Sequence, residues 1–308
     1  MKPAECALCG QTEARILYSG TDRLYQTTSD IFNVVSCTRC GMSRLDPPPA
    51  DPRLLYPQQY WLQSGTAARY RRLVLRHHLR FVIQALGAGR RVLDAGSGGG
   101  LLAAMLREKG VQAVALDISP AAASLAARQG SAAVAADFAS APFASASWDL
   151  IAMFHVLEHV PDPRAHLATA HRLLAKAARL VVAVPAFDSL QRRFFGTRWN
   201  GLDIPRHLHH FRESDLRALL VQSGFGVLRV SRFSWRDSPA GLATTLFPSL
   251  DPMSRIARKL RPNPAALGMY AALTALAAPF ALLEAGLGCG SVVMMEAARL
   301  EPNAEALD

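Results

Sequence analysis

The 308-residue sequence predicts an α/β protein. Its core reads as a doubly wound, mostly parallel sheet of seven strands, with a small cysteine-bearing ribbon before it and a helical insertion ahead of the last strand. Three observations predict this. From residue 91 onward, short apolar runs alternate with helix-length stretches, which puts helices on both faces of a parallel sheet. A glycine-rich turn, Gly96-Ser97-Gly98-Gly99-Gly100, follows the first of these runs. Four of the five cysteines fall in two Cys-x-x-Cys pairs.

Half the residues are apolar and 19% are charged, which excludes a disordered chain and allows one large core with an appended module. A formal charge of +10 and a pI near 9.9 point to an anionic partner, whether nucleic acid, a membrane surface or a phosphorylated substrate. Four thiolates on one zinc would lower that charge by about two and leave the protein basic.

Residues 1–45 carry Cys6-Ala7-Leu8-Cys9-Gly10 and Cys37-Thr38-Arg39-Cys40-Gly41. The spacing lets two sulfurs take adjacent corners of a tetrahedron, and each glycine permits the tight turn beneath. Cys6, Cys9, Cys37 and Cys40 are therefore expected to close on a structural Zn2+. A redox pair would occur singly and head a helix. Cys289 reads as a small buried residue. No charged segment followed by an apolar run opens the sequence, so a reducing, cytoplasmic setting is expected.

A Pro-rich linker is expected over 46–65, beginning Asp46-Pro47-Pro48-Pro49. The main domain would then occupy 66–308, entered by a helix over Thr66–Leu86 with Leu75, Leu79, Val82 and Leu86 at helical spacing. Strands are predicted at Arg91–Ala95, Ala113–Asp117, Ala132–Asp137, Asp149–Phe154, Leu180–Pro185, Val227–Phe233 and Ser291–Ala297. Between them lie helices over Leu101–Lys109, Pro120–Gln129, Pro163–Ala175 and Asp215–Ser223, the last capped by Ser214. Residues 234–289 form an insertion. In it Arg255, Arg258, Lys259 and Arg261 precede an uncharged stretch from Pro262 to Leu283, interrupted by Pro279. That stretch reads as a helical lid, as an interfacial helical pair giving peripheral membrane association through 255–283, or as a membrane span.

The turn after Val92-Leu93-Asp94-Ala95 is where the chemistry begins. Glycines there let a ligand approach the backbone, and the following helix offers unpaired N–H groups. The dinucleotide fingerprint would need a small residue at 101, where Leu101 stands. The acidic ends of the next two strands, Asp117 and Asp137, lie along the same sheet edge, and Phe138 follows the second. The spacing Asp-x-Gly-x-Gly-x-Gly, with Trp148-Asp149-Leu150-Ile151 and His155-Val156-Leu157-Glu158-His159-Val160 downstream, resembles the class I S-adenosylmethionine-dependent methyltransferases of the small-molecule branch.

That resemblance implies a Rossmann-like fold and a set of cofactor contacts. The position matching Asp94 would lie near the methionine portion, Asp117 would bind the ribose, and Asp137 and Phe138 would flank the adenine; Gly96, Ser97, Gly98, Gly100, Ile118 and Phe154 complete the implied cofactor-binding residues. Where relatives often carry Pro-Gly-Gly before the fifth strand, this sequence has Ala175-Lys176-Ala177-Ala178. Similar cysteine knuckles precede the core in deoxysugar C-methyltransferases and in some ribosomal RNA methyltransferases.

Methyl transfer to a hydroxyl or acidic carbon needs a positioned nucleophile and a proton acceptor. His155, Glu158, His159 and His207 are the catalytic candidates, and His209 and His210 sit on the same side. Quinone-type O-methyltransferases can hold a divalent metal with two Glu and a His here; this sequence has His155 in place of the first Glu. The H-x-x-E-H motif of zinc proteases belongs on a long helix, whereas this one follows a buried strand and precedes Pro161. A small-molecule acceptor is expected: a sugar, glycolipid, quinone or secondary-metabolite hydroxyl, or a carbon. The alternative is a zinc-containing RNA methyltransferase, which the net charge and the cysteine pairs support; against it, no Asn/Asp-Pro-Pro-Tyr/Phe follows the fourth strand and no aromatics interleave with a basic stripe.

Overall fold

A computed structural model describes residues 4–50, Leu55 and 68–300. The rest of the Pro-rich linker, the helix start predicted at Thr66 and the residues after 300 lie outside the described residues.

The chain opens with antiparallel strands β1 (Ala14–Gly20), β2 (Phe32–Cys37) and β3 (Ser43–Leu45). Helix α1 (Ala68–Leu86) leads into the alternation: β4 (Arg91–Ala95), α2 (Leu101–Arg107), β5 (Gln112–Asp117), α3 (Pro120–Arg128), β6 (Ala132–Ala135), β7 (Trp148–Phe154), α4 (Pro163–Leu173) and β8 (Leu174–Pro185). Then come α5 (Leu190–Phe195), the two-residue strand β9 (His209–His210), α6 (Glu213–Gln222) and β10 (Phe225–Ser231). Three helices fill the insertion, α7 (Ser238–Leu246), α8 (Pro252–Ala257) and α9 (Pro264–Gly286), before β11 (Val292–Arg299).

The large sheet runs β6-β5-β4-β7-β8-β11-β10. It is parallel through β8, while β11 is antiparallel to both neighbours. Strand order reverses between β4 and β7, which opens a crevice at their carboxyl ends. Side chains alternate between two cores. Leu93, Ile151, Met153, Val182 and Val184 pack towards α4 and α6, whereas Val92, Leu150, Ala152, Val181 and Ala183 pack towards α1 and α2. Burial on both faces explains why these strands read as nearly unbroken apolar runs.

Several boundaries differ from expectation, as where β8 begins at Leu174 and β10 spans Phe225–Ser231, and two of the differences have clear local reasons. The third strand ends at Ala135, because Asp137 turns to cap a 3-10 turn over Phe138–Ser140. The sixth helix starts at Glu213, capped from Arg212 instead of Ser214, since the Asp215 carboxylate accepts the Arg212 N–H at 3.0 Å. Pro279 does not interrupt α9, which runs through it as one helix. Pro279 and Ala275, whose carbonyl loses its partner, both lie on the exposed face, so the packed stripe is undisturbed.

The N-terminal strands do not close on themselves. β9 supplies the fourth strand of their sheet, pairing Ser43 with His210 and Arg44 with His209. Phe32, Val34 and Leu45 of the small sheet share a core with Phe187, Trp199, Leu202, Ile204 and Leu208, all from the segment after β8. Beneath that core, Arg206 makes a bidentate pair with Asp22 at 2.8 and 2.9 Å, and neither side chain is exposed. The small sheet thus forms a wall beside the loop that carries the histidine cluster.

Candidate functional site

The glycine turn follows β4 at the switch point. Gly96 N–H and Ser97 N–H both donate to the Leu116 carbonyl, tying the turn to β5. Gly96 (φ 70°) and Gly100 (φ 71°) adopt left-handed backbone. A Cβ on Gly96 would meet Val156 at 2.4 Å, and one on Gly100 would meet Ala126 at the same distance. These two positions need glycine for packing as much as for conformation. Gly98 N–H points at β5 and donates to Asp117 Oδ2 at 2.8 Å.

Asp117 ends β5 with its other oxygen accepting the Ser119 N–H at 2.9 Å. Its carboxylate therefore lies against the glycine turn, and burial pushes its pKa up. Ile118 beside it is 59% exposed at the crevice edge. Asp94 is buried, takes the Ala103 N–H in the first turn of α2, and has no partner for Oδ2 among the described residues. Ser97 Oγ is likewise buried and unpartnered. Two orphaned buried oxygens beside a bare-backbone turn suit a ligand bearing an ammonium or other donor.

Asp137, half exposed, accepts the Ala139 N–H at 2.9 Å. The two predicted aromatic contacts fall differently. Phe138 is buried and stacks on His166, with centroids 5.9 Å apart, and Phe154 stacks on His78 of α1 at 4.4 Å. Both rings belong to the core, because the chain turns inward at each strand end. Ile118 is left as the apolar side chain that faces out at this edge.

The second half of the site follows β7. Residues 155–160 form a turn rather than a helix, beginning with His155 at φ 57°. That strained conformation is a mark of functional turns. His155 Nδ1 lies 3.1 Å from Glu158 Oε1, and Nε2 lies 3.2 Å from Asp237 Oδ2. Burial opposes its charge, but Asp237 and Glu158 outweigh burial and hold the imidazolium up to about 10. Both ring nitrogens of His155 thus face carboxylates, which favours the imidazolium and makes the ring a tether between them.

His159 differs in every respect. Burial pulls it down to about 4, so its ring is neutral. Its Nδ1 lies 3.1 Å from the Arg206 carbonyl, which can only accept, so the proton sits on Nδ1 and the lone pair on Nε2. His207 repeats the arrangement, with Nδ1 2.9 Å from the Gly201 carbonyl. The two rings meet edge to face at 4.6 Å. Glu158, His159 and His207 each bring one donor atom within 4.8 Å of the others, and Glu158 Oε2 is buried without a partner. Two imidazoles with their Nδ1 atoms on carbonyls, and a carboxylate beside them, can accept a proton or hold a divalent cation. His209 and His210 are buried in β9, with His209 Nε2 3.4 Å from the Pro161 carbonyl, and serve the wall.

A model of the methyltransferase domain family matches residues 67–230, more than half of the chain. The chain belongs to this family. Among curated proteins, its methyltransferase domain is similar to the ubiquinone biosynthesis O-methyltransferase of Xanthomonas oryzae pv. oryzae (strain PXO99A), with 32% identity over 137 residues, 41% of this chain and 56% of that one. The enzyme of the same name from Xanthomonas axonopodis pv. citri is 30% identical over 168 residues, covering 49% of this chain and 70% of that one. The chain thus spans little more than half the length of the first of these relatives. A solved S-adenosylmethionine-dependent methyltransferase from Archaeoglobus fulgidus shares the fold at a TM-score of 0.50 and 17% identity, over 76% of this chain and 97% of that one.

Around the methyltransferase domain the structure adds partners that no motif announced. Asp237 comes from the insertion, where Ser234 Oγ donates to it at 2.6 Å and His78 Nε2 lies 3.3 Å away. A buried Ser-x-x-Asp turn was the only signal available for it. The cysteines form a second cluster, with Cys6 and Cys40 Sγ 3.5 Å apart and Cys9 and Cys37 Sγ also 3.5 Å apart. Gly10 N–H donates to the Cys6 carbonyl and Gly41 N–H to that of Cys37, giving two matching knuckles. Arg164 of α4 bonds the Ala7 and Leu8 carbonyls, and Arg212 bonds that of Cys40, so both knuckles are docked on the methyltransferase domain.

Proposed function

We propose that this protein transfers a methyl group from S-adenosylmethionine to a small-molecule acceptor carrying a hydroxyl or an acidic carbon. The observation that carries the reading is the Asp117 carboxylate bonded to Gly98 N–H across the switch-point crevice, next to the orphaned oxygens of Asp94 and Ser97. Those groups suit the ribose, ammonium and carboxylate of the cofactor, and Ile118 and Asp137 suit its adenine. When bound, S-adenosylmethionine supplies a sulfonium methyl as the electrophile. The chain supplies the rest. His159 Nε2 accepts the proton of the acceptor, His207 and Glu158 orient that hydroxyl, and His155 with Asp237 fixes Glu158. The small sheet and insertion exclude water from the crevice.

The name shared by the relatives favours oxygen as the methylated atom and a quinone-like ring as acceptor. Incubation with methyl-labelled cofactor and a panel of phenols, catechols and sugars tests this. Label is expected in a phenolic product, and His159→Ala is expected to slow turnover roughly 10²–10⁴-fold with cofactor affinity kept. Unchanged turnover in that variant would remove His159 from the chemistry. A second reading is favoured by the convergence of Glu158, His159 and His207, whose two Nδ1–H groups are anchored on carbonyls as in metal-bound imidazoles. Loss of rate on chelation and its return with Mg2+ or Zn2+ would favour the cation.

For the knuckles we infer a structural Zn2+ on Cys6, Cys9, Cys37 and Cys40. Tetrahedral bonds of about 2.3 Å would set sulfurs about 3.8 Å apart, close to the spacings seen. One zinc per chain is expected by atomic emission, and none at this site in a Cys37→Ser, Cys40→Ser variant.

A further inference from the structure

Helix α9 is built inside out for a surface helix. Its buried stripe, Ala266, Tyr270, Thr274, Ala277, Ala281 and Glu284, holds every polar side chain it has. Tyr270 Oη lies 3.0 Å from Thr244 Oγ1, and Glu284 accepts from Gln191 at 2.7 Å, so polar bonds pin this stripe to α7 and α5. Every outward position is apolar, including Leu267, Met269, Leu276, Phe280 and Leu283, and exposed Leu287 follows the helix. Leu276 is 77% exposed. Twenty-three residues make a rod about 34 Å long, and its mean hydropathy reaches 1.8 with only 28% of that stretch buried. A contiguous apolar face of this extent on a soluble body marks an interaction surface.

What lies beside the face tells which partner fits. Arg255, Arg258, Lys259 and Arg261 stand immediately before α9. The guanidinium of Arg258 is held by the Leu24 and Arg23 carbonyls, and that of Arg255 by the Ser249 and Arg261 carbonyls. Among the described residues neither guanidinium has a carboxylate partner. Arg23 lies close enough to Arg198 and Arg258 to feel their repulsion, and the nearby carboxylate of Asp203 is already shared with Arg206. An apolar face flanked by such cations matches a bilayer surface with anionic headgroups.

We propose that α9 and the basic segment before it dock this protein onto an anionic lipid surface, with the helix lying in the interface. Its polar anchors to α5 and α7 keep it against the domain rather than across the membrane. Since α7 begins beside Asp237, the docked face sits one helix from the histidine cluster. The proposal is independent of the methyltransferase reading.

The test is co-sedimentation of the zinc-loaded full chain with vesicles of phosphatidylcholine alone and with added phosphatidylglycerol. At least tenfold stronger partitioning is expected with the anionic vesicles, falling with salt and released by alkaline carbonate. Leu276→Glu with Leu283→Glu should abolish it, and so should Lys259→Glu with Arg261→Glu; all four side chains lie outside the buried stripe, and circular dichroism reports whether the fold is kept. Absence of binding, or equal binding by the folded variants, overturns the proposal. A dimer of the free protein that the leucine variant dissolves would assign the face to a second copy, and resistance to carbonate would assign a spanning helix; either overturns it.

Discussion

At the scale of single residues, charge state separates groups that look alike in sequence. His155 and His159 stand four apart in one motif, yet one is held cationic and the other neutral. The difference comes from Asp237, some eighty residues downstream, and no local pattern could reveal it. Asp94 offers a sharper test. Burial first, and the charge of Asp117 after it, push its carboxyl up to about 7. In the free protein it is protonated below that pH and ionised above it. A raised acid costs apo stability as pH climbs from about 4, where the unfolded side chain ionises, through about 7. A cofactor ammonium needs the ionised form. Affinity for S-adenosylmethionine should therefore rise up to about tenfold per unit between pH 5.5 and 7, and Asp94→Asn should flatten the profile. A wild-type profile already flat in calorimetry would contradict this role.

At the scale of elements, the strands of the large sheet were legible because burial on both faces writes them as apolar runs. β9 was not. It is two histidines in a polar loop, and its partner β3 lies more than 160 residues earlier. Its position is set by the strap beneath it, where Arg206 reaches Asp22. Burial opposes the charge of Asp22, but Arg206 wins and lowers its pKa to about 2. An acid lowered on folding stabilises above its unfolded pKa, here about 4, and that contribution is lost as pH falls to about 2. From the shift alone it is worth about 2 kcal/mol at neutral pH. Asp22→Asn leaves Arg206 short of a partner and should cost about 3 kcal/mol in urea unfolding at pH 7. The gap to wild type should narrow towards pH 2. A gap independent of pH would mean that packing, and not the ion pair, holds the strap.

At the scale of the whole molecule, three stretches far apart in sequence meet around the turn that follows β7. The sheet edge offers the glycine turn and Asp117, the N-terminal sheet backs the loop of His207, and the insertion delivers Asp237. The glycine turn, the carboxylates and the cysteine pairs could be read in advance because each needs particular residues at short spacing. The wall and the tether could not, being long-range pairings between ordinary residues. The knuckle residues Cys6, Leu8, Cys37 and Met42 belong to the same core cluster as Leu93 and Ile151, so the ribbon and the sheet are joined through packing. The claim on which the rest depends is that the crevice over Asp117 receives an adenosyl cofactor. Calorimetric titration of S-adenosylmethionine into the zinc-loaded protein measures it most directly. One site per chain is predicted, with affinity at least tenfold weaker in a folded Asp117→Ala variant. Absence of binding by the wild type, or equal binding by that variant, would contradict it.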